Sequence, residues 1–306
     1  MKNYICVVSQ LSSKILYYLV LQPLSRLPFS IIYLMSDFAY FLVYRIAGYR
    51  KESVRLNLRN SFPELPAKEL KAIEKKFYKQ FCNNILEGLK GLTISKAEIK
   101  KRMVCKNPEL LDKYFDQGKS VIITTGHYYS WEWWFLAIDM PTKHKIVLIY
   151  KTLSNAFFED KLFSIRESFG SVPVKFEDTK SFFVNKDNGT YGYIFGSDQA
   201  PHNASRAYWV NFLNQETPVA FGAEKFAVEL DIPVVFCRIK PVKKGHYEFE
   251  FIDIESTPKE TQYGDITKAY TLALENTIKE DPAGWLWSHK RWKREKPEGM
   301  EVFDLK

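Results

Sequence analysis

The sequence predicts a layered α/β domain, with a mostly parallel central sheet and flanking helices behind an N-terminal hydrophobic helical anchor. Three observations carry that prediction. Short β-branched apolar runs recur through the chain, segments with helical spacing of apolar residues separate them, and one stretch near the N-terminus is almost uncharged. That stretch comes first. Leu27 to Tyr44, between Arg26 and Arg45, carries Asp37 as its one charge and is just long enough for a spanning helix. Its Leu, Ile, Phe and Val residues offer about 3 to 5 kcal/mol on the insertion scale, of which a central Asp37 returns roughly 3. Pro28 and Ser36 weaken insertion further, and Tyr33, Tyr40 and Tyr44 favour the headgroup level, where a ring is buried with its hydroxyl wet. The stretch therefore reads as a membrane anchor, spanning or interfacial, with a buried helical hairpin as the alternative. The order of segments expected of a cleaved signal peptide is missing.

Beyond Pro66, the residues Leu70, Ile73, Phe77, Phe81, Ile85 and Leu89 recur at helical spacing among Lys and Glu and predict a helix over Ala67 to Leu92. Strands are predicted at Ser120 to Thr125, Lys145 to Tyr150, Tyr191 to Phe195 and Ile232 to Ile239, with helices at Asn155 to Phe169 and Pro218 to Leu230 between them. Strict alternation over His246 to Ile254 predicts an antiparallel edge strand, followed by a last helix at Asp265 to Lys279. The simplest division is an anchor over 1–50 and a catalytic domain over 51–306.

Composition narrows the function classes. The chain has 306 residues, 46% of them hydrophobic, enough for a substantial core. Cys6, Cys82, Cys105 and Cys237 are far apart and form no metal-binding pattern, so no disulfide framework, metal or cofactor is expected and a reducing compartment is. The net charge of +8 is concentrated at Arg45, Arg50, Lys51, Arg55 and Arg59 and again at Lys290, Arg291, Lys293, Arg294 and Lys296. Such clusters suit acidic partners, namely anionic lipid, an acidic carrier protein or nucleic acid. No nucleic-acid-binding motif accompanies them, so nucleic acid is not expected. The basic run after the apolar segment places the domain that follows on the cytoplasmic side of the membrane.

The densest chemical signal is Thr125-Gly126-His127-Tyr128-Tyr129-Ser130-Trp131-Glu132, directly after the apolar strand. Five residues of continuous helix would turn Glu132 about 140° away from His127, so the two meet only if the chain bends between them. Ser130 suits that bend as an N-cap, with Glu132 in the first turn near the positive helix end. A carboxylate that accepts one imidazole N–H leaves the other ring nitrogen free to take a proton. A structural, hydrogen-bonded histidine at a strand end is the competing reading. Asp198 and Gln199 also follow an apolar strand, and in open α/β sheets reactive groups gather beyond strand C-terminal ends, so they share a crevice with His127.

Gly126-His127-x-x-x-Trp131-Glu132 resembles the signature of the late acyltransferases of lipid A biosynthesis, within the His-x4-Asp/Glu glycerolipid acyltransferase superfamily. Three further stretches agree in order: Val54-Arg55-Leu56-Asn57-Leu58 with Ser61-Phe62-Pro63-Glu64, then Ser197-Asp198-Gln199-Ala200-Pro201, then Trp285-Leu286-Trp287-Ser288-His289-Lys290-Arg291-Trp292-Lys293. The chain carries Tyr129-Ser130 where Gly-Asn is common in that family. The resemblance implies transfer of a fatty acyl chain from an acyl thioester co-substrate, acyl carrier protein ahead of acyl coenzyme A, to a hydroxyl of a lipid acceptor such as a lipid A precursor. It implies His127 as general base oriented by Glu132, without an acyl-enzyme. Arg166 is the candidate for the oxyanion or an acceptor phosphate, or an exposed helix arginine. Asp198 and Gln199 are candidates for headgroup binding, or caps of their loop. Trp131 to Leu136 either wall an acyl groove or belong to the core. A hydrolase using the same pair and a membrane-bound binding protein with a degenerate site are the alternatives, although no G-x-S-x-G elbow is present.

Overall fold

A computed structural model describes residues 10–185, 187 and 189–305. Nine strands are present among them: β1 (Met103–Cys105), β2 (Val121–Thr125), β3 (Lys145–Tyr150), β4 (Val172–Lys175), β5 (Tyr191–Gly196), β6 (Tyr208–Phe212), β7 (Gln215–Val219), β8 (Val234–Lys243) and β9 (His246–Glu255). Seven of them form one sheet in the order β1-β9-β8-β2-β5-β3-β4. All pairings in it are parallel except β8 with β9. The reason is visible in the central strands. Ile122, Ile123, Ile146, Val147, Val234 and Val235 are all at 0% exposure, as continuous β-branched runs must be when helices cover both sheet faces. The architecture is thus the layered α/β fold expected, with helices at Ala67–Gly91, Ala156–Phe169, Gly222–Leu230 and Asp265–Glu280.

Two expectations about elements need correction. β9 is not an edge strand, because β1 pairs in parallel with its outer side, Met103 opposite Tyr247. Pro218 belongs to β7, not to a helix; β6 and β7 form a separate antiparallel hairpin with Trp209 opposite Pro218, and the helix begins only at Gly222. The hairpin turns at Leu213-Asn214, both in the left-handed region at φ 50° and 61°, as a two-residue turn that follows the natural strand twist requires.

The N-terminal apolar segment forms a helix over Phe29–Ala47, long and apolar enough to cross a membrane. It lies against the Ala67–Gly91 helix with its hydroxyl-bearing side inward. Tyr33 donates to Glu87 at 2.9 Å, Ser36 to Asn83 at 2.8 Å, and Ser25, just before it, meets Thr93 at 2.9 Å. Leu34, Phe38 and Ile46 point outward at 69%, 61% and 67% exposure. Asp37 does not sit unpaired in that apolar face; it meets Lys244 at 3.0 Å. Cys82 and Cys237 are buried free thiols and Cys105 is half-buried, while Cys6 lies outside the described residues.

Candidate active site

The sheet register builds the centre of the site. β2 and β5 are parallel neighbours with Thr125 opposite Gly196, so two residues beyond each strand His127 faces Asp198. The imidazole Nδ1 lies 2.7 Å from Asp198 Oδ1, and the His127 backbone N–H donates to Oδ2 at 2.7 Å. Trp285 Nε1 donates to the same Oδ2 at 2.9 Å. Gly126 makes the approach feasible: a Cβ there would stand 2.8 Å from Leu274 Cδ1 and 3.3 Å from Asp198 Oδ2. Asp198 is only 4% exposed. Burial alone would raise its pKa, but the charge and hydrogen bonds of His127, with the Trp285 donor, hold it at about 2. The ionised carboxylate in turn overcomes the burial of His127, and with a contribution from Glu132 it raises the imidazole above its ordinary value.

This corrects the pairing predicted from local spacing. Glu132 does not accept the imidazole N–H; Asp198 does. The chain does bend between His127 and Glu132, but at Tyr129, in the left-handed region at φ 47°, rather than through Ser130. Ser130 holds the N-cap position of the Trp131–Ala137 helix without a side-chain capping bond. The bend turns Glu132 to another wall, where it is 43% exposed and 3.6 Å from Arg166 Nη2. Arg166 is accordingly not a freely exposed helix arginine: its side chain is 13% exposed and its guanidinium lies over the rings of Phe135 and Tyr150. Asp198 is consumed beneath the histidine rather than offered to a headgroup. Gln199 is exposed, and its amide nitrogen lies 3.1 Å from His127 Nε2, on the side of the ring away from Asp198.

The strained bend is held by a strap near the end of the chain. Tyr129 N–H donates to Gly284 O at 2.8 Å, Tyr128 bridges Trp285, and the Tyr128 and Tyr129 hydroxyls both donate to Asp281. A Cβ on Gly284 would meet the Tyr129 ring at 2.4 Å, so the two segments pack at a distance only glycine allows. Further along, Asn57 donates to Trp287 O at 2.9 Å and His289 O at 3.2 Å, Arg50 to Ser288 O at 2.8 Å, and Ala200 N–H to His289 Nε2 at 3.2 Å. Trp285, His289 and Asn57 are thus site residues that no local spacing singled out, although each lies in one of the quoted motifs. Arg291, in the same strap, is not a surface cation. It is 2% exposed, donates to Pro218 O at 2.7 Å, and is brought down to about 10 by burial.

Beside the imidazole stands Trp131, its ring 5.3 Å from that of His127, and Trp131 forms part of a cleft of about 360 Å³. Tyr49, Phe81, Ile85 and Leu286 supply its apolar wall; Arg50, Glu132 and His289 supply polar groups. Trp133 and Trp134 are fully buried core residues, so of that aromatic run Trp131 and Glu132 face the cleft. Among the described residues no group of His, Cys, Asp and Glu could hold a metal ion. The arrangement can take a proton: a ring nitrogen faces away from the carboxylate, its partner is fixed on buried Asp198, and an apolar-walled cleft lies next to the ring across Trp131.

A search of curated proteins finds no match. The family model described as bacterial lipid A biosynthesis acyltransferase matches residues 8–294, nearly the whole chain. With that coverage, the chain belongs to the bacterial lipid A biosynthesis acyltransferase family.

Proposed function

We propose that the protein is a membrane-associated O-acyltransferase that moves a fatty acyl chain from an acyl thioester to a hydroxyl of a lipid acceptor such as a lipid A precursor, with His127 as general base. The observation that carries this reading is the hydrogen bond from His127 Nδ1 to buried, ionised Asp198, which leaves Nε2 facing the exposed side of the site. The acceptor hydroxyl displaces the Gln199 amide from Nε2 and gives its proton to the imidazole as its oxygen attacks the thioester carbonyl. The C–S bond of the tetrahedral intermediate then breaks, and the imidazolium returns the proton to the leaving thiolate. Asp198 keeps the tautomer and steadies the imidazolium. Glu132 and Arg166 act together at the cleft wall, Arg166 toward an acceptor phosphate or the oxyanion, and Gln199 contacts the acceptor headgroup.

The donor is acyl carrier protein rather than coenzyme A. A large acidic partner gains from several cations at once, and the exposed Lys290 and Lys293 remain for it once Arg291 is set in the core and Lys296 is paired with Glu216. The outward Leu34, Phe38 and Ile46 face is suited to the lipid interface, on the cytoplasmic side of the inner membrane. Incubating the purified protein with an acyl thioester, with and without a lipid alcohol, tests the reading. Acylated lipid supports it, free fatty acid released irrespective of the alcohol points to a hydrolase, and neither product refutes an enzymatic role. Mass spectrometry of total lipids from cells with and without the protein names the acceptor.

A further inference from the structure

We propose that His289 is a hydrogen-bond donor to the carbonyl oxygen of a fatty acyl thioester lodged in the cleft, an assignment that rests on the acyl-transfer reading above. Three observations lead there. The first fixes the tautomer: Ala200 N–H can only donate, and it points at His289 Nε2 at 3.2 Å. In the neutral ring Nε2 therefore carries no proton and Nδ1 does. The second is position. His289 lines the cleft beside Leu286 and Trp131, and among the described residues no acceptor is hydrogen-bonded to its Nδ1. The third is rigidity. The backbone carbonyls of Ser288 and His289 are gripped by Arg50 and Asn57, and Ala200 follows directly on Gln199, which touches the catalytic imidazole. A donor fixed in advance, in an apolar-walled cleft, is what a carbonyl oxygen that gains negative charge during attack requires.

The surrounding charges agree with a donor and not with a second base. Burial, opposed by Asp198 and aided by Arg291, Lys293 and His127, brings His289 down to about 4. At neutral pH the ring is uncharged and keeps its Nδ1–H, so it donates to the carbonyl oxygen without serving as a base. Of the other polar groups that line the cleft, Glu132 can only accept, and Arg50 gives one of its N–H groups to Ser288 O.

The test compares two unreactive ligands of the full-length protein in detergent: an acyl pantetheine whose sulfur is replaced by methylene, keeping the carbonyl as a ketone, and a thioether whose carbonyl is replaced by methylene. Wild type is expected to bind the ketone about five- to tenfold more tightly, as one hydrogen bond supports. His289→Gln keeps an acceptor for Ala200 N–H in place of Nε2 and removes the donor at the Nδ1 position, so the preference should fall to about one. His289→Asn, which places an amide N–H near Nδ1, should retain most of it. An unchanged preference in His289→Gln, or no preference in wild type, overturns the assignment while leaving acyl transfer intact. Failure of wild type to bind either ligand removes the acyl-donor reading itself, and this assignment with it.

Discussion

Two carboxylates flank the imidazole, and their surroundings differ in nearly every respect. Asp198 stands on the floor of the site, where the parallel register of β2 and β5 sets it opposite His127; it is buried, accepts three hydrogen bonds and is held at about 2. Glu132 stands on the wall, in the first turn of a helix, half open to solvent and 3.6 Å from a single arginine. The floor is fixed before substrate arrives, because moving Asp198 would cost the sheet register and three donors together. The wall can rearrange, because an ion pair at that distance with its carboxylate open to solvent is worth little by itself. Sequence distance is thus a poor guide to which acid serves the histidine: the one five residues away faces the cleft, and the one 71 residues away holds the ring.

Substitutions can break that contrast. His127→Ala should remove nearly all transfer, and Asp198→Asn should cost on the order of three to four powers of ten in kcat, as a wrong tautomer does in other His-carboxylate sites. Both are read as steady-state rates on folded protein. Glu132→Gln should cost about two powers of ten and should be non-additive with Arg166→Met, since the two act as one unit. If Glu132→Gln instead matched Asp198→Asn, and the double variant of the two lost no more, the distinction between floor and wall would be wrong.

The pH profile sharpens the contrast. His127 must be neutral to accept a proton, and Asp198 and Glu132 both face it and raise its pKa. kcat/KM should therefore rise with pH through a value above 6.5, and Asp198→Asn should shift the rise to lower pH more than Glu132→Gln does. Asp198 itself titrates lower folded than unfolded. Its stabilising contribution is complete above its unfolded value of about 3.9 and is lost as pH falls toward 2, so acid unfolding followed by circular dichroism should show a shallower loss in Asp198→Asn. A smaller effect on activity is expected from Leu34→Glu with Phe38→Glu. Co-sedimentation with anionic vesicles should drop about tenfold or more while turnover of detergent-dispersed acceptor changes less than threefold.

The centre of the sheet was legible because β2, β3 and β8 are largely buried on both faces and appear as runs rich in Val and Ile, whereas the short edge strands β1 and β4 carry no such run and were not predicted. The β6–β7 hairpin was not, since Leu213 gives no sign of a left-handed turn and only Asn214 does. At the site, Gly126-His127 announced itself by following a strand, and the placing of Asp198 after a second strand indicated a shared crevice. What spacing could not supply was that β2 and β5 are neighbours and in which register, the facts that convert two strand ends into a pair. Trp285, His289 and Asn57 were hidden for the same reason, their partners lying in other motifs. In the N-terminal helix, Asp37 counts against insertion as a lone charge, and sequence could not show that Lys244 stands 3.0 Å from it.

The strap also sets an order of events in synthesis. Trp285 follows Asp198 by 87 residues, which at about 5 to 20 residues per second corresponds to roughly 4 to 17 s of translation. Through that interval a nascent chain has both His127 and Asp198 but neither the indole that completes the carboxylate's donors nor the Gly284 carbonyl that holds Tyr129 in its bend. The pair is therefore assembled late, and a ribosome-bound fragment ending before residue 284 is expected to carry His127 without the full set of contacts that fixes it on Asp198.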